Sequence, residues 1–147
     1  MPNRFQWEEG FRRWIARLIP DPGWEWNIVA DASLGDCRAE VFSTASNRTA
    51  TIRFQPNLAA RDETCCHEVL HVALSEYQYA AEEIAKQLPE GPARELALSR
   101  LSSASEATVK RLAVALIEAF RPLPKERVCS VCGHREVDFQ PGEGTPS

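Results

Sequence analysis

Between Glu63 and Tyr79 the chain contains neither glycine nor proline, and inside that stretch His67, Glu68 and His71 fall at H-E-x-x-H spacing. Such a stretch reads as a helix, and on a helix residues four apart stand one above the other. His67 and His71 can then aim two imidazoles at one cation. Glu68 is turned about 100° away from His67, so it flanks the cation rather than binding it. There it can take a proton from a water that the cation holds. The chain has three histidines in all, and two of them take this spacing around a glutamate. The plainer alternative is a helix with two incidental histidines, because the motif also recurs by chance.

A helix that carries a metal site needs a core behind it. The 147 residues suffice for one domain with a modest core. Apolar residues make up 44% and charged ones 26%, the balance of an ordinary globular protein. A formal net charge of −4 argues against general nucleic-acid binding, which calls for a basic face. Met1 to Glu9 is polar with no apolar signal core, and no run is long enough to span a membrane. Five cysteines, with Cys65 and Cys66 adjacent, make a poor disulfide framework. A cytoplasmic protein without membrane or nucleic-acid partners is expected.

The expected fold class is α+β. Phe5 to Ile19 reads as an amphipathic helix, with Trp7, Phe11, Trp14, Ile15 and Leu18 at spacings of three and four. Pro20-Asp21-Pro22-Gly23 stops it. Alternating patterns around Trp24 to Ile28, Cys37 to Val41 and Thr51 to Phe54 predict three strands. Short turn-like connections between them predict an antiparallel sheet. The H-E-x-x-H helix follows, with Asn57 or Asp62 as its N-cap. After Pro89-Glu90-Gly91-Pro92 come a short helical piece at Ala93 to Leu101 and a last helix at about Ala104 to Phe120.

Two histidines do not complete a catalytic metal site, which usually has three protein ligands. Periodicity singles out Glu106. The apolar stripe Val109, Leu112, Ala113, Leu116, Ile117 and Phe120, projected back by three residues, reaches it. A carboxylate in line with a buried stripe is costly unless a cation compensates it. Ser103-Ala104-Ser105-Glu106 also fits a capping box. Glu76, Glu82, Glu83 and His134 are the remaining options.

Strands, an H-E-x-x-H helix, a gap and then a helix opening with Glu106 resemble the gluzincin arrangement of zinc metallopeptidases in a very small form. Thr51 to Pro56, followed by Glu63 to His71, is similar to small metallopeptidases of phages and prophages. The resemblance covers roughly Trp24 to Phe120. It implies a minimal zincin-like domain over residues 1–124, zinc held by His67, His71 and Glu106, and Glu68 as general base. Tyr77, where a metzincin would have its third histidine, separates the chain from that group.

The expected function is zinc-dependent hydrolysis of a peptide bond in a peptide or protein substrate. Tyr77, Tyr79 and Arg100 are candidates to stabilise the oxyanion. The strand Ala50 to Phe54 is a candidate sheet edge for pairing with substrate. The alternative function is a metal-stabilised binding or regulatory protein without turnover, which would need a fourth protein ligand such as Cys65 or Cys66. Residues 125–147 read as a peripheral tail, disordered from Gln140 onward. Its Cys129-x-x-Cys132-Gly133-His134 is half of a zinc knuckle and offers a second zinc site.

Overall fold

The computed structural model describes residues 2–122, together with the backbone of two short strands at 126–128 and 135–137. The fold is α+β. Helix α1 spans Pro2–Leu18, and strand β1 spans Glu25–Ala30. A single 3-10 turn at Ala32–Leu34 leads to β2, Ala39–Thr44, and then β3, Thr49–Phe54. Three helices follow: α2 at Asp62–Ala73, α3 at Ser75–Lys86 and α4 at Pro92–Ala119. Strands β4 (Glu126–Val128) and β5 (Arg135–Val137) pair with each other antiparallel. Among the described residues no helix is long and apolar enough to cross a membrane.

The three-stranded sheet has the order β1-β3-β2 and is mixed, where the sequence predicts an antiparallel one. β2 and β3 form an antiparallel hairpin, with Ala39 opposite Phe54 and Thr44 opposite Thr49. β1 runs parallel to β3, with Glu25 opposite Thr49 and Ala30 opposite Phe54. The reason lies in the connection Asp31 to Arg38, which is long enough to carry the chain past the end of β3. β2 with its flanking loops is thus the crossover that a parallel pair requires. The buried Gln55 side chain fixes this passage, donating to the carbonyls of Ala32 at 3.0 Å and Gly35 at 3.1 Å. Asp31 caps the 3-10 turn by accepting from the Ser33 backbone N–H at 2.8 Å. β3, expected as a possible edge, is therefore the interior strand, and β2 is an edge.

The core lies between α1, the sheet and α2. Trp7, Phe11 and Trp14 are fully buried at helical spacing. Trp7 stacks on Phe11 at 5.6 Å and on Phe54 of β3 at 5.7 Å. Each such ring stabilises the fold by about 1.5–3 kcal/mol relative to exposure. The Trp14 indole N–H donates to Asp62 at 2.6 Å, and Arg13 donates to the same carboxylate oxygen at 2.7 Å. Asp62 therefore ties α1 to the first turn of α2. It does not cap α2, whose N-cap is Arg61 with no side-chain hydrogen bond.

Two helix boundaries differ from the sequence-based expectation. The helix with His67 and His71 does not run on to Tyr79, because Leu74 separates α2 from α3. The Ser75 hydroxyl donates to the Val72 carbonyl at 2.7 Å, competing with the helical ladder at that point. Conversely, the expected break at Ser102-Ser103 does not occur, and α4 is continuous. Serine costs only about 0.5 kcal/mol in a helix interior. Packing of α4 on α2 and α3 outweighs that, helped by Ser105 donating to Gln78 of α3 at 3.3 Å.

Candidate metal centre

α2 is buried on most of its circumference. Cys65, Cys66, Val69 and Val72 are almost fully enclosed. That leaves His67 and His71 half-buried on the face that α4 crosses. Their Nε2 atoms lie 3.1 Å apart, with the rings inclined at 75°. α4 arrives with its buried stripe, Val109 and Ala113, against α2. One turn earlier the same phase brings in Glu106. Its Oε1 is 3.1 Å from His67 Nε2, and its Oε2 is 3.1 Å from His71 Nε2. Since Glu106 sits well inside α4, the capping-box explanation for it does not hold.

The donor set fits a divalent cation. The ligand atoms of His67, His71 and Glu106 all lie within 4.8 Å of one another, and the three residues can hold a metal ion. Donors about 2.0–2.1 Å from a tetrahedral ion are separated by roughly 3.3 Å, close to the spacing seen here. Two imidazole nitrogens facing each other at 3.1 Å also need something positive between them, a proton or an ion. Burial is the main influence lowering the His71 pKa, and His67 adds to it while Glu106 opposes it. A ring kept neutral presents a free lone pair to a metal.

Glu68 is the fourth polar residue of the site, with only 8% of its surface exposed. Its carboxyl lines an open cleft of about 600 Å³ that also contains His67, His71 and Glu106. Burial, with lesser contributions from Glu106 and Glu40, pushes its pKa up to about 8. A buried charge without a partner is unfavourable, and a nearby cation would restore the ionised form.

The far wall of this cleft has no signature in the sequence. β2 supplies it, through Glu40, Phe42 and Ser43, while Gln78, Tyr79 and Glu82 of α3 close one end. Periodicity predicts a strand there but not which helix the strand faces. Of the oxyanion candidates, Tyr79 lines the cleft. Tyr77 is 81% exposed and stands outside it, as does Arg100. Glu82 lines the cleft without joining the metal group, and Glu83 pairs with Lys86 at 2.9 Å. Cys65 and Cys66 are packed in the core, their thiols pushed up to about 12 chiefly by burial, and neither belongs to the metal group. Cys129, Cys132 and His134, the expected second site, lie outside the described residues.

No protein-family model, curated protein or solved structure matches this chain. The chemical reading rests on the site itself. A larger groove, about 780 Å³, runs between α1 and β1 past Trp24 and Trp26, but it contains none of the clustered ligands. Size alone would favour that groove; convergent polar groups favour the cleft.

Proposed function

We propose that this chain is a zinc-dependent peptidase of the gluzincin-like kind. The observation that carries the reading is the buried Glu68 carboxyl beside the converging donors of His67, His71 and Glu106. Two imidazoles and one carboxylate are a donor set suited to zinc. Bound there, zinc would lower the pKa of a water toward neutrality and polarise a carbonyl oxygen.

The chain's own residues do the rest. His67 and His71 hold their nitrogens in place from one rigid helix, and Glu106 closes the set from another. Glu68 takes a proton from the attacking water as the new C–O bond forms. It returns that proton to the amine as the C–N bond breaks, so the proton balance closes on one residue. Of the oxyanion candidates, Tyr79 offers its hydroxyl from the cleft wall. Among the described residues β2 has no strand on its outer edge, and it borders the cleft. An extended peptide can add there by main-chain hydrogen bonding, a role the sequence had suggested for the interior strand.

The test is metal analysis with peptide cleavage. Purified chain binds about one zinc at the described site, and Glu68→Gln keeps that zinc while losing cleavage by a factor of about 10² to 10⁴. Full activity in Glu68→Gln would overturn the mechanism.

A further inference from the structure

Among the described residues four carboxylates line the cleft, those of Glu40, Glu68, Glu82 and Glu106, and no lysine or arginine does. Glu106 belongs to the metal group and Glu68 to proton transfer. Glu40 and Glu82 are left without a role. They come from different walls, Glu40 from β2 and Glu82 from α3.

Among the described residues Glu40 shares its one cation with a second carboxylate, and Glu82 pairs with none. Glu40 accepts from Arg53 Nη1 at 2.7 Å, but the same guanidinium also donates to Asp31 through Nε at 2.8 Å. One cation serves two carboxylates, so the trio remains negative. Among the described residues Glu82 accepts only from the uncharged Gln78 amide, at 3.2 Å, and the nearby Lys86 pairs with Glu83 instead. Phe42 and Tyr79 border the same cleft with 57% and 60% of their surface exposed. Rings of this kind beside carboxylates suit a long cationic side chain, whose stem packs on the ring while its head meets the charge.

A separate observation points to a ligand in the cleft. Glu68 is more than nine-tenths buried and faces the cleft, and no hydrogen bond to its carboxyl is made among the described residues. Its oxygens are not sealed off by the protein, so the carboxyl is open to a group that enters the cleft.

Resting on the peptidase reading, we infer that the site selects peptide segments carrying lysine or arginine beside the bond to be cut, with Glu40 and Glu82 as the specificity-determining residues. An acidic segment meets like charge on both walls and is rejected.

The test uses the full chain loaded with zinc and three fluorogenic peptide pools that differ only in carrying lysine, glutamine or glutamate at the varied positions. The lysine pool is cleaved with a kcat/KM about tenfold above the glutamine pool, the scale expected of two partly exposed carboxylates acting on one cation, and the glutamate pool is slowest. Glu82→Gln and Glu40→Gln each lower the lysine-to-glutamine ratio about threefold. Glu82 is on the surface of α3, so its variant remains informative even if Glu40→Gln loosens Arg53. Salt at 1 M, where screening acts over about 3 Å, also shrinks the ratio. Equal cleavage of the three pools overturns the selectivity and leaves the peptidase reading standing. If no pool is cut, the peptidase reading fails, and labelled peptides of the same three kinds are titrated by fluorescence anisotropy. Tighter binding of the lysine peptide that Glu82→Gln weakens supports the selectivity. Equal binding of the three, or no binding, overturns it.

Discussion

The Glu106 carboxylate lies 3.1 Å from His67 Nε2 across the crossing of α4 over α2. This contact joins residues far apart in sequence, and the phase of two helices sets it. Replacing Glu106 with alanine leaves two imidazoles without their third donor. Zinc affinity falls by at least about 100-fold, since even residues that only support a ligand are worth 10- to 100-fold. Isothermal titration with zinc checks this. An unchanged affinity would remove Glu106 from the metal group.

Glu68→Gln separates metal binding from chemistry. Glutamine is nearly isosteric, and Glu68 is not one of the clustered ligands. The variant is expected to bind zinc within about threefold of the parent and to lose 10² to 10⁴ in kcat. It is also expected to be no less stable, because the buried carboxyl it replaces resists ionisation. Zinc titration, peptide cleavage and thermal melting on one preparation give all three readings.

Local patterns carried much of the fold. Trp7, Phe11 and Trp14 mark the buried face of α1 because helical spacing is a short-range property. The convergence on His67 and His71 was legible for the same reason, and Glu106 was legible through its phase with Val109 and Ala113. Long-range pairing was not legible. No alternation of apolar residues tells β1 to lie parallel to β3, because that depends on where the Asp31 to Arg38 loop carries the chain. An edge strand and an interior strand of this length share one pattern, so the role of β2 as cleft wall stayed hidden. The break at Leu74 carries no proline or glycine to mark it, only a Ser75 hydroxyl that donates to the Val72 carbonyl.

Asp31 gives the protein a defined acid sensitivity. Hydrogen bonds from Ser33, then from Arg53, pull its carboxyl below the usual range, to about 2. A carboxyl whose folded pKa lies below its unfolded value stabilises the fold above the unfolded pKa, about 3.9. That contribution fades as pH falls toward 2. The stability difference between wild type and Asp31→Asn is therefore largest near neutrality and shrinks steadily below about pH 4. Urea midpoints measured from pH 7 to pH 2 test it. A difference that does not change with pH would assign the loss to geometry rather than to charge.

Gly10 of α1 lies against Cys65 of α2. A Cβ added at Gly10 would come 2.8 Å from Cys65 Sγ, well inside contact distance, and 3.6 Å from Cys65 Cβ, an ordinary contact. Two effects compete in Gly10→Ala. Alanine favours the helix over glycine by about 1 kcal/mol, whereas overpacking a core costs about 1–3 kcal/mol. Cys65 is fully enclosed and has a single side-chain torsion, so the sulfur has little room to withdraw and the clash prevails. Gly10→Ala alone is expected to destabilise the fold by about 1 kcal/mol. In a Cys65→Ala background the sulfur is gone, and the same substitution becomes neutral or stabilising by up to about 1 kcal/mol. A double-mutant cycle in urea then gives a coupling of about 1–2 kcal/mol, the double variant losing less stability than the two single losses combined. Additive losses would show that α1 shifts away from α2 instead of clashing with it.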